Sequence, residues 1–140
     1  MSLFNVFDIS GSGMSAQSLR LNTTASNIAN ADSVSSSVDQ TYRARHPVFA
    51  AQMQKAAAAG QDESVSVQVL GIVESDKPLN VEYAPEHPMA DGDGYIYKPN
   101  VNVIEEMTNM ISASRSYQTN IQLAESAKNM LTKTLTLGQR

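Results

Sequence analysis

The chain has 140 residues, a net charge of −4, no cysteine, no tryptophan and three phenylalanines. That is enough for one ordinary domain, but the few aromatics exclude a large aromatic core, and the missing thiols exclude disulfides, thiolate metal sites and a cysteine nucleophile. The charge is uneven: residues 31–100 hold ten acids against five bases while both ends are nearly neutral, and no basic patch points to nucleic acid.

Residues 1–30 repeat every seven. Phe7, Met14, Leu21 and Ile28 form one row, and Phe4, Gly11, Ser18 and Ala25 form the row beside it. Rows seven apart line one face of a helix, and a large row beside a small one suits close approach of a partner helix. Gly11 and Gly13 each weaken an isolated helix by about 1 kcal/mol relative to Ala, so this helix needs a partner. The first twenty residues lack the basic and apolar regions of a secretory signal, which fits a cytosolic protein or one exported by another route. No stretch has the roughly 18 apolar residues of a membrane span. The pattern ends in SNIANADS, where Asn30 is suited to the left-handed conformation that often closes a helix. Ser33–Gln40 is serine-rich and reads as a flexible connector.

The middle is β-rich. Ala50–Ala59 suggests a short helix ended by Gly60. Val65, Val67 and Val69 alternate with polar residues, as do Leu79, Val81 and Tyr83, so both stretches read as strands. ESDKP at 74–78 reads as the hairpin connection between them. Tyr95 and Tyr97 make a third short run after DGDG, which reads as a turn. It is a poor calcium loop, because Ile96 stands where glycine is required and Asn102 where glutamate is required.

Residues 101–140 return to the seven-residue repeat, with Val103, Met110, Tyr117, Ala124 and Leu131 in one row and Met107, Ser114, Ile121, Lys128 and Leu135 in the other. Asn102 with Glu105 resembles a capping box. Glu105 and Glu106 suit the positive end of the helix dipole; Lys128, Lys133 and Arg140 suit the other end. Gly138 marks the stop. The expected fold is mainly α with a small β-rich insert. Residues 1–30 and 101–140 pair as an antiparallel coiled coil, and residues 31–100 form the connector and insert. Asn22, Asn27, Asn30, Asn109, Gln118, Asn120, Gln122 and Asn129 punctuate the apolar rows; any one of them reads first as an ordinary surface amide, and the sharper reading is that some fix register between packed helices.

Nothing here reads as an active site. His46 and His87 each precede a proline, which suits extended loop backbone better than a metal site. No serine elbow, phosphate loop or carboxylate pair is present, so no cofactor, metal or catalytic residue is expected.

Both ends carry motifs. Ser26-Asn27-Ile28-Ala29-Asn30 resembles the N-terminal signature of the flagellar rod and hook axial proteins. Pro99-Asn100-Val101, Glu106-Met107, Met110, Ala113, Arg115, Tyr117 and Asn120 resemble that family's C-terminal signature. YRARHPVF at 42–49 and DGYIYKPNV at 93–101 are similar to its proximal-rod members, as is the length. The resemblance implies a structural, non-enzymatic subunit of the proximal rod in the periplasm. Such a subunit polymerises into the hollow drive shaft that transmits torque from motor to hook. The implied partners are further copies of the chain, proximal and distal rod proteins, the rod-base adaptor and the flagellar type III export apparatus, which passes subunits without a cleaved signal. The implied packing surface includes Phe4, Phe7, Met14, Leu21, Ile28, Val103, Met107, Met110, Tyr117, Ile121, Leu131 and Leu135. The competing reading is a soluble helical adaptor or export chaperone.

Overall fold

The computed structural model describes residues 3–54 and 64–138. In chain order it has α1 (Leu3–Ala29), a 3-10 turn (Val38–Gln40), β1 (Arg45–Gln54), β2 (Ser64–Glu74), β3 (Asn80–Tyr83), β4 (Tyr95–Lys98) and α2 (Val103–Leu137). β1 pairs with β2 and β3 with β4, giving two two-stranded sheets. The expected two long helices around a small β-rich insert are present. At 1.5 Å per residue the 35 residues of α2 span about 52 Å.

Local chemistry sets the helix ends. Asn102 Oδ1 accepts the amides of Ile104 (3.1 Å) and Glu105 (3.4 Å), so Asn102 caps α2 as its sequence position predicts. Glu105 and Glu106 occupy the first turn. The Gly138 amide closes the other end on the Thr134 carbonyl at 3.1 Å, but no basic residue lies in the last turn of α2, and Arg140 falls outside the described residues. α1 ends differently from expectation. No non-glycine residue among those described has a positive φ. Asn30 instead donates both its backbone amide (3.2 Å) and its side-chain Nδ2 (2.8 Å) to the Ser26 carbonyl. Its side chain thus satisfies an orphan helix carbonyl without backbone strain.

Three further expectations are corrected. Ala50–Gln54 lies in strand β1, not in a helix; the rest of the Ala-rich run lies outside the described residues. Residues 74–78 do not join a hairpin, because β2 pairs with β1 and β3 with β4. The serine-rich connector is anchored rather than free. Ser35 is buried and exchanges two 3.0 Å backbone hydrogen bonds with Tyr97, and Thr41 Oγ1 donates to the Ser37 carbonyl at 2.7 Å.

The chain divides into two compact units. The first comprises Met1–Leu19, Val48–Gly71 and Ser112–Arg140. Its buried helical positions are small: Ser10 and Ala16 on α1, Ala113 and Ala127 on α2. A Cβ on Gly13 would lie 2.8 Å from Asn120 Nδ2, so glycine here permits close approach of the two helices. Ser12 Oγ donates to the Ile9 carbonyl (2.9 Å) and accepts the Val67 amide (3.2 Å), joining α1 to β2.

The second unit comprises Arg20–Pro47 and Ile72–Ile111. β3 and β4 run antiparallel with Val81 opposite Tyr97 and Tyr83 opposite Tyr95. Ile96, on β4, is buried. DGDG is a turn, as expected: Asp91 Oδ1 accepts the amides of Asp93 (3.0 Å) and Tyr95 (2.9 Å), and Tyr97 Oη donates to Asp91 Oδ2 at 3.1 Å. Gly94 sits at φ 83°, where a Cβ would also meet Tyr83 at 3.0 Å and Pro85 at 3.1 Å. The Tyr83 and Tyr95 rings meet edge to face at 5.2 Å.

Candidate functional site

Among the described residues, the densest polar arrangement lies in the second unit and centres on Asn27. This residue is 0% exposed, which for an amide is costly unless every donor and acceptor is met. Asn27 meets all four. Nδ2 donates to the Arg45 carbonyl at 2.8 Å and to Glu106 Oε2 at 2.9 Å. Oδ1 accepts from Tyr42 Oη and from the Arg45 amide, each at 2.9 Å. Two donors and two lone pairs are the full capacity of a carboxamide. Toward Arg45 the side chain behaves like a neighbouring strand, taking both the N–H and the C=O of one residue.

The surroundings extend this arrangement. Glu106 is 4% exposed, and its Oε1 accepts from Asn109 Nδ2 at 3.5 Å, while Asn109 Oδ1 accepts from Arg20 Nη2 at 3.1 Å. The two helix-to-helix bonds, Asn27–Glu106 and Arg20–Asn109, step backward along α1 as they step forward along α2. The Tyr42 ring carries the Arg45 guanidinium 5.4 Å from its centroid, and Tyr42 Oη lies 3.3 Å from Ser26 Oγ. Arg45 also bridges to Glu74 at 3.1 Å; that pair is exposed and adds little stability.

A second amide works from the other motif. Asn100 Oδ1 accepts the Ala44 amide at 2.8 Å, and its Nδ2 donates to the carbonyls of Ser75 (3.3 Å) and Lys77 (2.8 Å). Pro99 is fully buried, and its carbonyl accepts from Asn80 Nδ2 at 3.0 Å. The motif residues Ser26, Asn27, Asn30, Pro99, Asn100 and Glu106 therefore gather in one unit, while Ala29 and Arg115 face solvent and Tyr117 and Asn120 are half-buried in the other unit. Sequence reading gave Tyr42, Arg45 and Asn80 no role. The signal for the first two is that they lie in YRARHPVF, 42–49, the stretch similar to proximal-rod members, just after the connector.

The rows of large apolar side chains are placed differently. Phe7, Met14, Leu21 and Ile28 are half-buried, as are Met110, Tyr117, Ile121 and Leu131. Val103, Met107 and Leu135 are exposed, and the Phe4 side chain lies outside the described residues. α1 buries its small and polar positions, such as Ser10, Ala16, Thr23 and Thr24, in place of its large ones. At the start of α2, Val103, Ile104, Met107 and Ile111 present one exposed stripe, with Ile104 at 77%.

Charge at the β3–β4 hairpin is tuned by hydrogen bonds. The Tyr95 amide, helped by the amides of Asp93 and Gly94 and by the Tyr97 hydroxyl, holds the Asp91 carboxyl below its ordinary value of 3.8. The same carboxylate pushes Tyr97 above 10.0. Lys98, hydrogen-bonded across the pair, lowers Glu82. Among the described residues no three His, Asp or Glu side chains cluster to hold a metal, and no helix is long and apolar enough to cross a membrane.

Comparison with known proteins follows the same two ends. The family model described as "Flagella basal body rod protein" matches residues 7–35, and "Flagellar basal body rod FlgEFG protein C-terminal" matches residues 93–137. The flagellar basal-body rod protein FlgC of Salmonella typhimurium is 51% identical over 139 residues, covering 99% of this chain and all of the relative. FlgC of Escherichia coli O157:H7 is 49% identical over the same length and coverage. FlgC of Buchnera aphidicola from Acyrthosiphon pisum is 43% identical over 141 residues, again with 99% of this chain and all of the relative covered.

Proposed function

The chain belongs to the FlgC family of flagellar basal-body rod proteins, and from that premise we propose that it is a structural subunit of the proximal rod. It polymerises there into the hollow shaft that carries torque from motor to hook. The observation that carries this reading is likeness along the whole chain, ends and middle together. Residues 1–30 and 101–140 pair as an antiparallel coiled coil around the insert at 31–100. The Asn27–Glu106 and Arg20–Asn109 bonds and the Gly13–Asn120 approach support that pairing.

In the same reading the chain acts as a building block and not as an enzyme, because its densest polar cluster is spent on internal hydrogen bonds. Half-exposed apolar rows on α1 and the exposed stripe on α2 supply packing surface for further copies and for other rod proteins. The subunit reaches the periplasm through the flagellar type III export apparatus.

Deletion of the gene, followed by electron microscopy of isolated basal bodies and complementation from a plasmid, tests this. The expected result is rings without rod or hook, with motility restored by the plasmid. Normal rods in the deletion strain overturn it.

A further inference from the structure

Four backbone groups on two consecutive residues are held from three directions. The Ala44 amide is bonded by Asn100 Oδ1 at 2.8 Å, the Ala44 carbonyl by the Ser75 amide at 2.7 Å, and both Arg45 groups by the Asn27 carboxamide. Ala44 is 4% exposed, so its groups have little recourse to water once the site closes. Asn27 is itself pinned by Glu106 on α2.

We propose that Asn27 and Asn100 form a single cooperative clamp on the Ala44–Arg45 dipeptide, so that the start of β1 locks only when both ends of the chain are in place. The inference concerns folding of the subunit and does not depend on what the subunit assembles into. Three facts carry it. Asn100 holds the Arg43–Ala44 peptide through its N–H and Asn27 holds the next peptide, Ala44–Arg45, through its N–H, so the two held units share the Ala44 Cα. The sequence separations are long, at 18, 56 and 79 residues for Arg45–Asn27, Ala44–Asn100 and Asn27–Glu106, and contacts of such range form late. Finally, the bonds are buried or part-buried, where an unmet donor or acceptor is expensive. A chain lacking residues 100–106 has neither Asn100 nor Glu106. The clamp is therefore a late-closing device that leaves an incomplete or extended chain open.

Native-state hydrogen exchange on the full chain, followed amide by amide in increasing urea, tests the clamp. In the wild type, the Ala44, Arg45 and Ser75 amides are expected to share one opening equilibrium, with protection equal within about twofold and a common urea slope. Asn27→Ala is expected to speed exchange at Ala44, to which Asn27 makes no hydrogen bond, by about tenfold or more, and Asn100→Ala to do the same at Arg45. The proposal is overturned if each substitution frees only its own amide and leaves the other within about twofold. If a variant loses its helical signal, the wild-type urea series decides alone: merging slopes support one clamp, and separate slopes mean independent bonds.

Discussion

A β-carbon placed on Gly13 would stand 2.8 Å from Asn120 Nδ2, whereas one placed on Gly11 meets nothing within 4 Å. The two glycines share a helix and differ only in what faces them. Gly11→Ala is therefore expected to stabilise the protein by about 1 kcal/mol through helix propensity. Gly13→Ala carries the same propensity gain but forces Asn120 out of its rotamer, at roughly 0.5–1.5 kcal/mol, and is expected to leave stability nearly unchanged. In an Asn120→Ala background the full gain should return. Urea unfolding of the four Gly13/Asn120 combinations measures this, and equal gains in both backgrounds would show that the pair does not touch.

Asn102 caps α2 through its Oδ1 alone. Asn102→Ala is expected to cost about 1 kcal/mol, and Asn102→Ser much less. Since Glu105 makes no return hydrogen bond to Asn102, Glu105→Gln should be near neutral apart from the loss of a favourable charge at the helix start, about 0.3–1 kcal/mol at low salt. Urea midpoints at two salt concentrations separate the two effects.

The β3–β4 turn should lose stability at both ends of the pH scale. The Asp91 carboxyl is lowered in the folded state, so its contribution is present above the ordinary value of 3.8 and is lost as pH falls through the folded value. Tyr97 is raised, so its contribution is present below 10.0 and is lost as pH rises through the folded value. NMR signals of the Gly94 and Tyr95 amides report both limbs. Asp91→Asn should remove the acid limb, and Tyr97→Phe the alkaline one.

Ile104 lies in the first turn of α2 and is 77% exposed. Ile104→Asp should leave urea stability within about 0.5 kcal/mol, since the charge suits the helix N-terminus. If the stripe is packing surface, the variant should still be exported but fail to build rods, read by secretion assay and microscopy. Leu21→Asp and Ile121→Asp should also block assembly, but with a loss of monomer stability, because both side chains are half-buried. Normal rods from all three variants would remove the helical rows from the interface.

Much of the helical framework is legible in the sequence because its causes are local. Asn102 announces a cap three residues ahead of the backbone it serves, Gly138 marks a stop, and the heptad rows give the lengths of α1 and α2. The strands are less legible. Val65–Val69 and Tyr95–Tyr97 alternate as strands do, yet nothing local says that β2 pairs with β1 and not with β3. Ala50 and Ala51 favour helix, and pairing with β2 overrides that preference. The Asn27 hydrogen-bond network is the least legible feature. Asn27 falls within the motif, but its partners lie 15, 18 and 79 residues away, and no periodicity links an amide to a backbone so distant.

Besides Pro99, the buried apolar residues among those described are Ala16, Ala44, Ile96, Ala113 and Ala127. Four of the five contribute only a methyl group, and the large aliphatic side chains of α2 are exposed or at most half-buried. Heat capacity change on unfolding follows the apolar area withdrawn from water, so the free subunit is expected to show a small heat-capacity change for its length. In the proposed rod, packing against neighbours would dry those side chains, and the missing heat capacity would then belong to the polymer rather than the monomer.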